Sequence, residues 1–386
     1  RRFRAIAGYR KSPGHDALTS RVCLDRWFCY DYEKITRDVK TLGRYGVTDC
    51  VYVKHDWRRW AWDFADPEDD PLLPGKGSHA ACVKACQDAG MLYVPHDNYI
   101  DFYPDAEGYS YDLMLFHADG TPDEAWFNKG RGALSYRWAP HAFAPFQERN
   151  LKLMRTAFDP DGLFIDVFSA HAPTDYYDRD GTFHGKRETV AAWSAAFDRP
   201  RQMWEKPRAP MVSEAGGDWL IGHLDAGQSD HFVAARWAHG AAYDDAERVP
   251  WHDIVSHGKF VLMAGGLGPR YCATDLENKG DDLRHGYASD DYLCTTVIGG
   301  RLPMCVGPFP RRAVLTCWML RDVCAELGAG EMRALDFGET IHRQHATFST
   351  GEILYVNGGE VISAVDSKDS ACGIHAEGDP ENEEGD

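Results

Sequence analysis

The 386-residue sequence has no long apolar run, too few basic residues to balance its acidic ones, and no tightly spaced cysteines. No stretch approaches the ~20 consecutive apolar residues of a membrane-spanning helix, so no membrane span is expected. Lys and Arg number 42 against 60 Asp and Glu, a formal net charge of -18. Nucleic-acid affinity comes from clustered cations displacing counterions from phosphates, so a nucleic-acid partner is excluded. The 11 cysteines are odd in number and scattered through apolar stretches, which reads as reduced, buried small hydrophobes. Cys82 and Cys86 stand four apart with no second Cys or His pair at zinc-ligand spacing nearby.

Several catalytic signatures are missing too. There is no His-x-His or His-Glu-x-x-His, and His171, His223 and His231 share no ligand spacing. Ala215-Gly216-Gly217 and Ala264 to Gly268 lack the Lys or the strand-to-helix context of a phosphate loop, and no Gly-x-Ser-x-Gly elbow occurs. Metal hydrolase, nucleotide-binding and serine esterase readings therefore fall away, and neither metal nor cofactor is expected. The chain opens at Arg1 with no initiator Met and no signal-peptide pattern. A chain processed after export belongs in the periplasm or outside the cell, and one that never carried a signal in the cytoplasm.

What is present is an ordinary globular composition, 44% hydrophobic and 26% charged, in a length that suits one large α/β barrel with an appended piece. Aromatics make up 12%, with 12 Trp, many beside polar residues as in His55-Asp56-Trp57 and Tyr136-Arg137-Trp138. Sugar-binding sites combine flat aromatics with Asp, His, Asn and Arg; large cores also use Trp, and the composition alone leaves both readings open.

Short apolar runs alternate with longer periodic segments, the pattern of a parallel sheet covered by helices. Strands are expected at 5–9, 49–55, 91–97, 162–166 and 210–214, with later ones around 220–224, 259–264 and 301–306. Helices are expected at 31–45 after Asp31, at 77–90 between Ser78 and Gly90, and at 140–157, 188–205 and 311–327. The stretch 98–138 is a long excursion of the kind that houses function on the C-terminal face of a barrel. Residues 346–357 alternate around a Thr-Gly turn, a hairpin signature. The fold expected is α/β, a (β/α)8 TIM-type barrel over 1–335. A short C-terminal β-rich appendage, the start of a sandwich or hairpin, follows over 336–370, then an acidic disordered tail over 371–386.

Asp166 ends the apolar run Leu163-Phe164-Ile165, and Glu214 follows Met211-Val212-Ser213, so each is the first ionisable group where a buried strand reaches the barrel mouth. A carboxylate there is expensive without a task or a partner. They lie 48 positions apart, room for one loop, one helix and a return, which makes them neighbours in the barrel. Glycoside hydrolysis needs such a pair, one carboxylate to attack or to position water and one acid to protonate the leaving oxygen. The alternative is that either sits in an ion pair with Arg or Lys. Candidate groups for gripping sugar hydroxyls are His96, Asp97, Asn98, Tyr99 and Asp101 at the end of strand three. His55, Asp56 and Trp57 at the end of strand two join them, with Arg137, His171 and Asp225.

At Phe164-Ile165-Asp166-Val167 and Ser213-Glu214 the sequence resembles the catalytic barrel of retaining α-glycosidases, in particular the endo-α-N-acetylgalactosaminidase group (glycoside hydrolase families 101 and 129). The resemblance is one of pattern and order and extends over about residues 5–357. It implies Asp166 as nucleophile ending strand four, Glu214 as acid/base ending strand five, a β-sandwich after the barrel, and a glycan or oligosaccharide substrate carrying an α-linked N-acetylgalactosamine or galactose-like sugar. The readings that compete are a catalytically inactive carbohydrate-binding barrel and a hydrolase for another α- or β-linked sugar.

Overall fold

A computed structural model describes residues 8–26, 29–57, 77–129, 131–228, 251–263, 296–306, 310–336, 343–356, 362–365 and 371–374. The sequence builds each early unit as local chemistry dictates. Asp31 accepts a hydrogen bond from the Lys34 amide at 2.8 Å and starts the helix Tyr32–Arg44, which buries Ile35, Val39 and Leu42 on one face. Ser78 caps the helix His79–Asp88 in the same way, and Gly90, at φ +82°, turns the chain out of it. No helix among the described residues is long and apolar enough to cross a membrane.

In chain order the strands begin with β1 (Val22–Arg26), β2 (Cys50–Lys54) and β3 (Leu92–Asp97). The excursion after β3 forms β4 (Asp101–Phe102), β5 (Glu124–Asn128) and β6 (Ala133–Arg137), an antiparallel trio. Next come β7 (Leu163–Ile165), the hairpin β8 (Tyr176–Tyr177) and β9 (Phe183–His184), β10 (Met211–Ser213), β11 (Ala226–Gly227), β12 (Val261–Leu262) and β13 (Met304–Val306). Eight of these form one parallel sheet in the order β12-β11-β10-β7-β3-β2-β1-β13, so from β1 to β12 each strand of the sheet lies beside the one before it, and β13 pairs with β1. At the two edges Met263 and Leu302 form a parallel bridge, with the Leu302 amide donating to the Leu262 carbonyl at 3.0 Å.

Strand parity sorts the side chains. Cys23, Val51, Val53, Val94, Phe164, Val212, Ala226, Val261 and Met304 pack together on one face of the sheet, with Leu18. Val22, Leu24, Cys50, Tyr52, Tyr93, Leu163, Ile165 and Met211 pack on the other face under the helices. A large apolar side chain so buried contributes ~1.5–3 kcal/mol.

Two expectations are corrected. Among the described residues the first strand is Val22–Arg26; of the segment 5–9, residues 5–7 lie outside the described set, and Gly8 and Tyr9 are not in a strand. The apolar Val22-Cys23-Leu24 pairs with Cys50-Val51-Tyr52 of β2. Likewise 220–224 is not a strand: Asp218–Leu220 is a 3-10 turn, and the chain reaches the sheet only at Ala226–Gly227.

Beyond the helix Arg311–Ala329, five antiparallel strands follow in sequence: β14 (Met332–Asp336), β15 (Arg343–Phe348), β16 (Glu352–Val356), β17 (Ile362–Val365) and β18 (Ala371–Ile374). Met332, Ala346 and Phe348 bury against Leu320, Val323, Cys324 and Leu327 of that helix. The acidic tail expected over 371–386 does not begin at 371, because Ala371–Ile374 pairs as a strand with Ile362–Val365; residues 375–386 lie outside the described residues.

Candidate active site

The inward face changes character at the carboxyl ends of the strands. Two positions after the inward residues Cys23, Val53, Val94, Phe164, Val212 and Ala226 come Asp25, His55, His96, Asp166, Glu214 and Gln228. Side chains alternate along a strand, so these six share the inward face one layer above the apolar filling. Register brings Asp166 beside Glu214: Ile165 pairs with Ser213, and the two acids are the next residues on adjacent strands.

The turns that follow are tied together. Ser213 donates its hydroxyl to the Ile165 carbonyl at 2.5 Å, the Ala215 amide donates to Ser169 Oγ at 3.0 Å, and the Gly217 amide donates to the Ser169 carbonyl at 3.0 Å. Asp166 itself leads into Val167 at φ +65°, a left-handed conformation that a β-branched residue avoids. Such strain, ~1–3 kcal/mol, persists where the surroundings hold it, and it collects at functional sites. A Cβ on Gly217 would lie 2.3 Å from the Trp219 ring, so that glycine makes room for Trp219.

A connected row of side chains leads to Asp166. Gln228 Nε2 donates to Asp25 Oδ1 at 3.0 Å, and His55 Nε2 meets the same oxygen at 2.5 Å. His55 Nδ1 lies 2.8 Å from His96 Nδ1, and His96 Nε2 lies 4.0 Å from Asp166 Oδ2. Phe164 fixes both rings, stacked on His96 at 5.1 Å and edge-on to His55 at 4.7 Å. Glu214 is buried.

The remaining sequence candidates are placed otherwise. Asp56 binds Lys54 Nζ at 2.5 Å on the outward face, where burial lowers the Lys54 pKa against the pull of Asp56. Trp57 is fully buried against His79 and Phe158, and its indole donates to the His96 carbonyl at 2.7 Å. Asp97 accepts from the Tyr99 hydroxyl, and Tyr99 stacks on Phe143 and accepts from Asn150 Nδ2 at 3.2 Å. Asn98 accepts from the amides of Ile100 and Asp101 and donates to Asp101, which also accepts from Ser135 Oγ at 2.7 Å. This network turns the chain from β3 into β4.

Arg137 pairs with Asp123 at 3.2 Å, while His171 is exposed in the loop after β7. Asp225 stands before β11, at the opposite end of the sheet. It accepts from the Gly14 and Met211 amides at 2.6 Å and pairs with Arg201, and burial raises its pKa to about 6. Its position is thus explained by the ion pair that a buried strand-end carboxylate requires.

Sequence reasoning missed Asp25 and Gln228. Asp25 carried the same signal as Asp166, an ionisable group ending the apolar run Val22-Cys23-Leu24, but the first strand was expected elsewhere. Gln228 follows a two-residue strand too short to show periodicity.

No protein-family profile matches the sequence, and no curated protein matches it. Among solved structures the fold is similar to that of the α-N-acetylgalactosaminidase NagBb from Bifidobacterium bifidum, with a TM-score of 0.74 at 16% identity over 94% of this chain and 62% of that one. It is also similar to the α-galactosidase TtGalA from Thermus thermophilus, with 0.55 at 15% identity over 89% and 68%. For the GH36 α-galactosidase AgaA from Geobacillus stearothermophilus the values are 0.53 at 10% identity over 91% and 48%. The chain therefore spans less than two thirds of the length of the first of these. At such identities the likeness is one of fold alone, a mixed α/β fold around a curled eight-stranded parallel sheet.

Proposed function

We propose that this protein is a retaining glycoside hydrolase acting on an α-linked, galactose-configured sugar, N-acetylgalactosamine or galactose, in a glycan or oligosaccharide. The observation that carries the reading is the Ile165–Ser213 pairing, which makes Asp166 and Glu214 the successive inward residues of adjacent parallel strands. Strand neighbours lie ~4.8 Å apart, which suits the ~5–5.5 Å between carboxyl groups of retaining enzymes better than the ~6.5–9.5 Å of inverting ones. The names of the structural neighbours, an α-N-acetylgalactosaminidase and α-galactosidases, favour the sugar and the linkage.

In this mechanism an Asp166 oxygen attacks the anomeric carbon as the bond to the glycosidic oxygen breaks, and the Glu214 proton passes to the departing oxygen. Glu214, now a carboxylate, takes a proton from water, whose oxygen displaces Asp166 and returns the acid for the next cycle. The Met263–Leu302 bridge supports a sheet closed into a complete (β/α)8 barrel over 1–335, with the β-rich region from 336 as an appended unit. A panel of nitrophenyl α- and β-glycosides tests the reading. Release from the α-galactoside or α-N-acetylgalactosaminide is expected; release from β-glycosides alone, or from none while sugar still binds, overturns it.

A further inference from the structure

The helix Arg311–Ala329 is apolar on both sides. Val314, Cys317, Leu320, Val323, Cys324 and Leu327 are buried, yet Leu315 is 42% exposed, Trp318 63% and Met319 41%. Single exposed apolar side chains are ordinary, but these three lie together on one stripe, at spacings of three and four residues. Arg311 extends the stripe at one end, and Asp322 and Glu326 extend it at the other, all three exposed. Tyr45, just past the helix Tyr32–Arg44 and 52% exposed, widens it. Its ring meets that of Trp318 edge-on at 6.2 Å, and its carbonyl accepts from the Trp318 indole at 3.0 Å, which holds the indole at the surface. The charges oppose those that suit a lone helix. Arg311 is the first residue and Glu326 lies among the last four, whereas the helix dipole favours an anion at the start and a cation at the end.

We propose that this helix face is a self-association surface, on which a second copy of the chain docks antiparallel about a two-fold axis passing between Trp318 and Met319. A two-fold interface uses the same patch on both copies, so the patch must complement itself. This one does. Residues 311 and 326 lie equally far from the axis, about 11 Å at a rise of 1.5 Å per residue, so Arg311 of each copy faces Glu326 of the other. Trp318 of each copy meets Met319 of the other at the centre, and Leu315 and Tyr45 flank them. The antiparallel arrangement also brings each helix start, with its misplaced cation, beside the other helix end, with its misplaced anion. A contact centred on one helix per copy is at the small end of stable interfaces, which bury ~800 Å² per partner, so the dimer is expected to dissociate reversibly. None of this depends on the hydrolase reading.

Sedimentation velocity of the full chain, from about 1 to about 100 µM, reads the assembly. A dimer that grows with concentration is expected; a monomer throughout overturns the proposal and leaves the face to another occupant. Trp318→Ala should raise the dissociation constant by on the order of 10²-fold, because one substitution empties the centre twice across the axis. That variant also loses the bond to Tyr45, so the register is tested separately on the exposed charges. Arg311→Glu or Glu326→Arg alone should weaken the dimer by on the order of 10-fold, and more at low salt, since each sets like charges opposite one another at two symmetric contacts. The two together restore opposite charges across the axis and should restore the dimer. A dimer that Trp318→Ala leaves unchanged, or a double charge variant no tighter than either single one, overturns the proposal.

Discussion

Ser213 donates its side-chain hydroxyl to the carbonyl of Ile165, its register partner on the neighbouring strand, at 2.5 Å. The residues that follow the two are Glu214 and Asp166, so this bond ties the strand ends that present both candidate carboxylates. Ser213→Ala removes it and should lower stability by ~1 kcal/mol. Its effect on kcat should be larger, toward the 10²-fold that a misplacement of about 1 Å produces. Thermal unfolding beside steady-state kinetics checks this; a wild-type kcat would show that backbone pairing alone sets the geometry.

Phe164 closes the apolar layer beneath the site and holds the rings of His55 and His96. Phe164→Ala should cost ~3–5 kcal/mol through the cavity it leaves. Denaturant unfolding measures that loss, and a change under 1 kcal/mol would mean that the layer collapses to fill the space.

Asp225 and Arg201 form a buried ion pair at the end of the sheet away from the site. Asp225→Asn leaves the guanidinium without its anion and should destabilise the fold by ~3–5 kcal/mol. Activity per folded molecule should remain that of the native protein. A raised KM in the folded variant would return Asp225 to the substrate-binding set.

His79 is fully buried, stacked on Trp57 and hydrogen-bonded to the Tyr93 hydroxyl at 2.7 Å, and burial lowers its pKa to about 3. Below the ordinary histidine value of 6.5 the unfolded chain takes up a proton that the fold refuses. Stability then falls with pH across the window from 6.5 to about 3, by ~1.4 kcal/mol per unit well inside it. His79→Phe should flatten that slope by one proton in unfolding measured from pH 7 to pH 4. An unchanged slope would place the titrating group elsewhere.

How much of this was legible in the sequence follows from where each signal lies. Asp31, Ser78 and Gly90 marked helix ends through chemistry within four residues, and the structure places helix ends beside each of them. The runs leading to Asp97, Asp166 and Glu214 showed as buried strands because each carries an apolar stretch, Leu92 to Pro95, Leu163 to Ile165 and Ala209 to Val212, just before its polar end. Ala226–Gly227 and Val261–Leu262 are two-residue strands, too brief for any period, and their pairing is decided by contacts far along the chain. For the site the limit was parity. His55 and Asp56 are adjacent in sequence and equally polar, yet one faces inward and the other binds Lys54 behind the sheet; only strand register tells them apart.

The account rests on Asp166 as nucleophile and Glu214 as acid and base, and the stereochemistry of the first product tests this most directly. NMR recorded as an α-glycoside is hydrolysed should show the α-anomer forming first. Asp166→Asn should abolish turnover, and Glu214→Gln should regain activity with azide on a substrate whose leaving group needs no proton. A β-anomer as first product, or a wild-type rate in Asp166→Asn, would contradict it.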